Sequence, residues 1–292
     1  MAVSTPKQRL VAASALVFDS PPASRALRRQ RTRLLDEALA HGLSPSLEGP
    51  LRWLATGELS PEDRNVVERI EATRSALAAR RGANAPTRGG GPVPLRRVAL
   101  AASVDRRFGA LLYLCAKAIG ARTGLELGSA VGIGTAYLAA GTARVVSIEA
   151  SPDRAEIARE TVASVSDEVE IVVGRFRRVL PGVVDRLDDG VDIAWIDGHH
   201  RRGPTLRYFE TIRPKLNEGA VVAFDDIRQS AGMREAWSIL QGTEGFTDTL
   251  DLDAVGIGVR GGEGAKPRAH DLRGIYGRPR WLHRGAGRRS PT

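Results

Sequence analysis

Acidic side chains end two strands predicted in the second half of the chain. Asp197 ends the apolar run Val191–Asp197, while Asp225 ends the run Ala220–Asp225 and is followed directly by Asp226. Because the carboxyl ends of parallel strands share one edge of a sheet, we expect these carboxylates to converge. Three oxygen donors at one point suit Mg²⁺ or another divalent ion that keeps water ligands. The same carboxylates without a metal would shape a polar pocket, and both interpretations stay open.

A histidine pair follows the first of these carboxylates, in the sequence Asp-Gly-His-His from Asp197 to His200. The unperturbed pKa of an imidazole is about 6.5, so histidine can accept a proton near neutral pH. We predict that His200 is a general base, and His199 is the weaker candidate for this role. The structural alternative is that the adjacent histidines cap the next helix or bind a carboxylate.

A glycine-rich turn follows an apolar strand that begins at Leu125. Gly128, Gly132 and Gly134 follow Glu126 in the pattern E-x-G-x-x-x-G-x-G, which the dinucleotide fingerprint G-x-G-x-x-G fits poorly. Glycine tolerates positive φ and lets a ligand approach the backbone closely. The turn therefore predicts a ligand site at the carboxyl end of this strand. Its structural alternative is a tight strand-to-helix connection with no ligand.

Glu149 ends the next predicted strand, Arg144–Glu149. A carboxylate at this place in an open α/β sheet can accept hydrogen bonds from both hydroxyls of a ribose. The alternative is an exposed charge at a strand end.

Strands and helices alternate from Leu125 to residue 241, which predicts a mostly parallel sheet with helices on both faces. Two final strands, Phe246–Asp251 and Ala254–Arg260, are joined by so short a turn that they must form an antiparallel hairpin. The predicted strands start at Leu125 or span Arg144–Glu149, Val169–Val173, Val191–Asp197 and Ala220–Asp225, and the helices lie near 108–119, 133–141, 153–165, 175–188, 204–216 and 230–241.

With these motifs, residues 100–260 resemble the class I S-adenosylmethionine-dependent methyltransferases, and within them the small-molecule O-methyltransferases similar to catechol O-methyltransferase and the related D-G-x-H families. The resemblance implies a Rossmann-like α/β fold with a seven-stranded, mostly parallel sheet and an antiparallel C-terminal hairpin. It implies O-methylation of a hydroxyl on a small molecule, with S-adenosylmethionine as cofactor and, in many relatives, Mg²⁺. It assigns His200 and Asp197 to catalysis and Asp197, Asp225 and Asp226 to the metal. The implied cofactor-binding residues are Glu126, Gly128, Ser129, Gly132, Gly134, Thr135, Glu149, Ala150, Ser151, Phe176 and Asp197.

One position departs from the family. Many members have an acidic residue after the glycine that ends the third strand, where it accepts a bond from the adenine amino group. This chain has Arg175, which carries only donors. Stacking on Phe176 or a backbone contact can substitute for the missing side-chain contact.

The chain divides by composition into four parts. Residues 1–81 form a helical N-terminal segment, in which Ser60 caps a helix, and residues 82–94 have the composition of a linker. Residues 95–262 form the cofactor-binding domain, and residues 263–292 form a basic, disordered tail. The N-terminal helices are expected to pack on the domain or form a homodimer in preference to serving as a lid.

The net charge of +9 is concentrated outside the cofactor-binding domain. Residues 1–100 carry 16 basic and 9 acidic side chains, and residues 261–292 carry 8 and 2, whereas residues 101–260 carry 19 and 23. A mildly acidic domain argues against a long phosphate-tracking groove, so nucleic acid is a disfavoured partner that is not excluded. The apolar segment 10–18 is short and interrupted, which favours a helix over a signal peptide. We therefore predict a cytoplasmic protein. Cys115, the single cysteine, lies on an apolar helix face and is predicted to be a buried thiol.

Two other functions remain open. An RNA or protein methyltransferase would use the basic flanks to bind a macromolecule, and a non-catalytic module would bind the cofactor without turnover. The glycine spacing disfavours an NAD-dependent oxidoreductase.

Overall fold

Helices and strands alternate in the computed structural model, which describes residues 21–86 and 91–275. The helix predicted for residues 10–18 lies outside these residues. The α-helices are α1 (Pro21–Ala40), α2 (Glu48–Thr56), α3 (Pro61–Ala79), α4 (Arg106–Ala118), α5 (Ile133–Gly141), α6 (Pro152–Val162), α7 (Phe176–Asp185), α8 (Arg202–Ile212) and α9 (Ala231–Gln241). Shorter helical pieces are Pro45–Leu47, Leu95–Arg97, Arg213–Lys215 and a π-helical turn, Val98–Ala102. Among the described residues, every helix is too short or too polar to cross a membrane.

The strands form a small hairpin and a large central sheet. The hairpin pairs β1 (Asn84–Pro86) with β2 (Pro92–Pro94) inside the segment predicted to be a linker. The central sheet contains β3 (Thr123–Leu127), β4 (Arg144–Glu149), β5 (Val169–Val173), β6 (Val191–Ile196), β7 (Leu216–Phe224), β8 (Phe246–Asp251), β9 (Gly256–Arg260) and β10 (Arg268–Asp271). Their order across the sheet is β10-β8-β9-β7-β6-β3-β4-β5.

The strand pairing confirms the predicted α/β fold class. Strands β7, β6, β3, β4 and β5 are mutually parallel, and β9 pairs antiparallel with both β7 and β8. Helices α5, α6, α7 and α8 connect these five parallel strands in chain order. Strand β7 begins at Leu216, earlier than the predicted Ala220. Residues 217–219 lack the apolar side chains by which the strand was predicted, and the pairing with β6 is interrupted by a register shift here.

An additional strand extends the sheet beyond the predicted hairpin. Strand β10 runs parallel to β8, and Leu272 and Ile275 behind it are buried in the core. Asp248 on β8 is fully buried, where it accepts hydrogen bonds from Arg268 and pairs with His270 Nε2 at 2.9 Å. The disordered tail predicted from residue 263 is therefore wrong for residues 263–275, and residues 276–292 lie outside the described part of the chain.

The sheet is buried on both faces, which explains the near-continuous apolar runs of its strands. All five residues of β3 are buried. Because successive side chains point to opposite faces, Leu125 and Leu127 join one core cluster, while Glu126 faces the other side together with Trp195 of β6.

The N-terminal helices pack against the helix that precedes β3. Leu35 of α1 and Leu51 and Leu54 of α2 share one core cluster with Phe108 and Leu111 of α4. Cys115 lies in the same cluster, and its burial raises the pKa of the thiol to about 12. The buried thiol predicted from the sequence is confirmed.

Helix α3 is joined to the segment that precedes α4 by a buried arginine. Ser60 caps this helix by accepting the Asp63 N–H at 3.0 Å, as predicted. Further along it, Arg74 is 6% exposed and donates to the backbone oxygens of Ala99 (3.0 Å) and Val104 (2.7 Å), while it pairs with Glu71. The arginine therefore fixes the π-helical turn, Val98–Ala102, to α3.

Replacing Arg74 with alanine should lower the free energy of unfolding by on the order of 2–4 kcal/mol, because two carbonyl oxygens lose their donor and Glu71 loses its partner. Urea unfolding followed by circular dichroism measures the change. Arg69→Ala, on the exposed face of the same helix, is the matched control and should change stability by less than about 0.5 kcal/mol. Equal effects of the two substitutions would contradict the bridging role of Arg74.

Candidate active site

A cavity of about 580 Å³ opens at the carboxyl edge of the central sheet. This is the edge at which open α/β sheets bind ligands. Loops after β3, β4, β5 and β6 supply most of the wall, and the π-helical turn adds Ala102. The lining residues are Ala102, Gly128, Ala130, Glu149, Ala150, Ser151, Arg154, Arg175, Phe176, Asp197, Gly198, His199 and His200.

The glycine turn brings β3 into close contact with the end of β6. Gly128 has φ +114°, and a Cβ at this position would lie 2.2 Å from the backbone oxygen of Asp197. Gly132 has φ +86°, and its Cβ would lie 2.9 Å from the Cα of Ala158 on α6. Glycine is required at both positions by the backbone conformation and by the approach of neighbouring backbone.

A buried carboxylate lies under this turn. Glu126 is 1% exposed, and its Oε2 accepts hydrogen bonds from Thr135 and Ser147, both at 2.5 Å. Ser147 also pairs with Ser129. Oε1 has no hydrogen-bond partner among the described residues, and a Cβ on Gly134 would lie 2.5 Å from it.

The environment of Glu126 favours its neutral form. Burial raises the pKa of this carboxyl to about 7, a rise that the hydrogen bonds from Ser147 and Thr135 partly offset and that the charge of Glu149 increases. The carboxyl therefore changes charge near neutral pH when the cavity holds no ligand.

Glu149 lines the cavity at the end of β4. Its Oε2 accepts the Ala130 N–H at 3.0 Å and its Oε1 accepts the Ser151 N–H at 2.9 Å. These two bonds fix the carboxylate between the glycine turn and the cap of α6. Each oxygen keeps a further lone pair that can accept a hydroxyl, so the site has the geometry expected of a ribose ligand.

Two carboxylates and a histidine meet at the ends of β6 and β7. One ligand atom each from Asp197, His200 and Asp225 lies within 4.8 Å of the others. His200 Nε2 is 3.5 Å from Asp197 Oδ1. Burial and the neighbouring carboxylate of Asp225 raise the pKa of Asp197 well above its ordinary value, which favours the protonated form of Asp197.

Asp226 lies beside this cluster, although the sequence grouped it with Asp197 and Asp225. Its backbone is left-handed, with φ +52°, and its Oδ2 accepts a hydrogen bond from Gln229 Nε2 at 2.6 Å. The same oxygen lies 4.0 Å from His200 Nδ1. The described cluster therefore contains His200 where the sequence predicted Asp226.

Two arginines and an aromatic ring also line the cavity. Arg154 and Arg175 line it, and Phe176 packs edge to face against His199 and Tyr208, with centroid distances of 5.8 and 5.4 Å. Tyr208 OH is 2.5 Å from His199 Nδ1. His199 and His200 are consecutive residues with positive φ (+65° and +35°), a strained conformation that surrounding contacts must maintain.

The predicted cofactor residues fall into two groups. One group lines the cavity: Gly128, Glu149, Ala150, Ser151, Phe176 and Asp197. The other group is buried and forms the support of the glycine turn: Glu126, Ser129, Gly132, Gly134 and Thr135. The prediction missed Ala102, Ala130, Arg154 and Gly198. Only Arg154 had a signal, because it stands in the first turn of a helix that Ser151 caps.

The pKa of Glu126 predicts a dependence of stability on pH. Its folded-state pKa of about 7 exceeds its ordinary value of 4.5, so the folded state binds the proton more tightly. The resulting stabilisation is complete below pH 4.5 and is lost as the pH rises through 7, a difference of roughly 3 kcal/mol. Urea unfolding of the ligand-free protein from pH 5 to 8 should show this decline, and Glu126→Gln should reduce it. Parallel curves for the two proteins would contradict the prediction.

Comparison with known proteins agrees with this geometry. A family model described as a methyltransferase domain matches residues 125–227. A catechol O-methyltransferase of Mycobacterium tuberculosis is 33% identical over 157 residues, which cover 49% of this chain and 69% of that protein. A catechol O-methyltransferase of Niastella koreensis is 26% identical over 132 residues, 44% of this chain and 59% of the relative.

A solved structure shares the fold. The O-methyltransferase TomG of Streptomyces achromogenes, crystallised with S-adenosylmethionine, has a TM-score of 0.50 and 20% identity over 70% of this chain and 92% of its own. The matched segment, 125–227, contains both the glycine turn and the cluster of Asp197, His200 and Asp225. On these matches the chain belongs to the S-adenosylmethionine-dependent O-methyltransferases of class I.

Proposed function

We propose that the protein methylates a hydroxyl group of a small molecule, with a divalent ion bound next to the reacting groups. The observation that carries the proposal is the convergence of Asp197, His200 and Asp225 within 4.8 Å, at the edge of a cavity that also contains Glu149. The names of the two relatives, both catechol O-methyltransferases, indicate substrates of this class.

The cofactor is expected to lie across the carboxyl ends of β3, β4 and β5. Glu149 would accept the ribose hydroxyls, and the methionine end would lie over the glycine turn beside Gly128 and Asp197. The buried carboxyl of Glu126 and the half-buried carboxyl of Asp197, which lines the cavity, lie at this end. Their negative charge favours a cofactor whose positive charges, on sulfur and nitrogen, lie at the same end.

The reaction would be an in-line displacement at the methyl carbon. The substrate oxygen forms a bond to this carbon while the carbon–sulfur bond breaks. The electron pair of the broken bond stays on sulfur, which gives S-adenosylhomocysteine. The hydroxyl proton passes to His200, which lines the cavity, and then to solvent. The enzyme's contribution is to hold oxygen, carbon and sulfur in line at about 3 Å and to accept the proton.

The residues present fit a divalent ion. Two carboxylates and an imidazole supply donors that such ions accept, and the carboxylates repel each other without a cation, as the raised pKa of Asp197 indicates. Asp197 and Asp225 would hold the ion with Asp226 as the third ligand, because an imidazole bound to the ion could not also accept the substrate proton. When bound, it would lower the pKa of a substrate hydroxyl and orient it.

The test of the function is turnover. Protein supplied with S-adenosylmethionine, Mg²⁺ and a panel of catechols, vicinal diols and sugars should release S-adenosylhomocysteine with at least one of these compounds. Binding of the cofactor without turnover on any hydroxyl compound would favour a non-catalytic module.

Glu149→Ala should weaken binding of S-adenosylhomocysteine at least about tenfold, because each hydrogen bond to a charged acceptor contributes on the order of 1.5–3 kcal/mol. Calorimetric titration measures the change. Asp153→Ala, an exposed residue of the same loop and helix, should leave affinity unchanged. Unchanged affinity in Glu149→Ala would remove this residue from the ribose site.

His200→Gln should lower kcat by on the order of 10²–10⁴ without weakening S-adenosylhomocysteine binding, because the proton acceptor is lost while the cofactor wall remains. Steady-state kinetics at several pH values, together with the same calorimetric titration, separate the two effects. If kcat survives at neutral pH, another group accepts the proton.

Mg²⁺ titrated into protein saturated with S-adenosylhomocysteine should give a binding isotherm that Asp225→Asn abolishes, because the ion loses a carboxylate ligand. Asp226→Asn separates the two ligand sets: retained binding indicates Asp197, His200 and Asp225, and lost binding indicates the three aspartates. Asp188 is exposed and lies outside the cavity, so Asp188→Asn should bind Mg²⁺ with the affinity of the unmodified protein. No isotherm in the unmodified protein would contradict the metal.

A further inference from the structure

The end of the cavity that receives the cofactor's base can be located from strand order. Strand β4 lies between β3 and β5. Glu149 ends β4, while Arg175 and Phe176 follow β5 directly. A cofactor whose ribose contacts Glu149 and whose methionine lies over the glycine turn must therefore extend its purine towards Arg175 and Phe176.

The charged side chains at this end carry donors. Arg154 and Arg175 line the cavity, and guanidinium groups have no acceptor. The Nε of Arg154 is buried and has no hydrogen-bond partner among the described residues. A donor in that state gains from a ligand acceptor, because an unpaired buried N–H is costly.

The side-chain acceptors near the arginines already accept backbone N–H groups, and the remaining lone pairs of Glu149 are assigned to the ribose hydroxyls. Both oxygens of Glu149 accept backbone N–H groups, and Ser151 Oγ accepts the N–H of Arg154 at 3.4 Å. Asp197 follows β6 and interacts with Asp225, which follows β7, and both strands lie on the side of β3 away from β4 and β5. Among the cavity residues, Arg154 and Arg175 supply guanidinium donors, and the carboxylates are Glu149 and Asp197.

Phe176 supplies a fixed apolar surface for the purine. A Cβ on Gly198 would lie 2.4 Å from Cε2 of this ring, so the backbone after β6 closes directly over it. Edge contacts with His199 and Tyr208 hold the ring on the other sides. Stacking on an aromatic surface does not depend on the substituent at position 6, because every purine has a π face.

The two possible substituents at position 6 differ in polarity. The 6-amino group of adenine is a donor, whereas a 6-oxo group is an acceptor that lies beside the N7 acceptor. Arginine can donate two hydrogen bonds to the O6 and N7 edge of a 6-oxo purine. It has no acceptor for a 6-amino group, so the two sets of donors repel each other.

We infer that Arg154 and Arg175 make the site indifferent to the 6-amino group of its cofactor, so that a 6-oxo purine nucleoside binds at least as well. The base is held by stacking on Phe176 and by donors to the purine's ring nitrogens and O6. Arg175 is then the residue that determines base specificity.

The test compares S-adenosylhomocysteine with S-inosylhomocysteine, its 6-oxo counterpart, by calorimetric titration of the full chain. The expected dissociation constant of the 6-oxo compound is within threefold of that of S-adenosylhomocysteine, or lower. Binding of S-inosylhomocysteine more than threefold weaker than S-adenosylhomocysteine overturns the inference, and so does failure of both compounds to bind.

Variants of Arg175 assign the effect to this residue. In Arg175→Asp, a carboxylate can accept the 6-amino group and repels O6, so preference for the adenine compound should rise at least tenfold. Arg175→Ala, which removes the donors without adding charge, should weaken the 6-oxo compound more than the 6-amino compound. Arg177→Asp is the matched control, because Arg177 is exposed on the same helix and lies outside the cavity; its ratio of affinities should equal that of the unmodified protein.

The ratio of the two affinities is insensitive to general loss of stability, which weakens both ligands alike. A ratio that stays constant in Arg175→Asp and Arg175→Ala overturns the role of Arg175. A ratio that changes equally in Arg177→Asp overturns it as well, since the effect would then come from net charge.

Discussion

The approach of two backbone segments, at Gly128 and Asp197, is the constraint on which the site depends. A side chain at Gly128 would lie 2.2 Å from the Asp197 backbone oxygen, so only glycine lets the turn after β3 reach the end of β6. This contact brings the glycine turn beside Asp197, and Asp197 in turn lies beside Asp225 and His200. The pairing of β3 with β6 makes the glycine turn and the acidic cluster neighbours, and the missing Cβ of Gly128 permits the close contact of their backbones.

Charge is distributed unevenly along the cavity. Two carboxyls lie near the glycine turn, the buried Glu126 and the half-buried Asp197; loss of solvation raises the pKa of Glu126 to about 7, and loss of solvation together with the neighbouring Asp225 raises that of Asp197 well above its ordinary range. Arg154 and Arg175 line the same cavity beside Glu149 and Phe176. A cofactor with a cationic methionine end and a neutral, acceptor-rich base matches this distribution, since each end meets the complementary group.

The N-terminal helices support the site from outside the sheet. Arg74 of α3 holds the π-helical turn that supplies Ala102 to the cavity, and Tyr137 of α5, the helix after the glycine turn, donates to Glu71 of α3 at 2.8 Å. The same helix thus contacts two walls of the cavity. Packing of this kind agrees with the expectation that these helices pack on the domain, and it also explains how a change in α3 can reach the site.

The sequence by itself determined the fold class, most element positions, the glycine turn and the carboxylates at the strand ends, because periodicity, glycine spacing and strand termini are local properties. Tertiary structure decided which of those groups meet. His200 joins Asp197 and Asp225, while Asp226 lies beside the cluster, where its Oδ2 accepts from Gln229 and lies 4.0 Å from His200 Nδ1. Strand β10 has no apolar pattern and exists because His270 and Arg268 pair with the buried Asp248. Glu126 supports the turn and does not line the cavity, because alternation along a strand buried on both faces sends it under the glycines. Contacts between residues so far apart in the chain depend on how the layers pack, which no local pattern encodes.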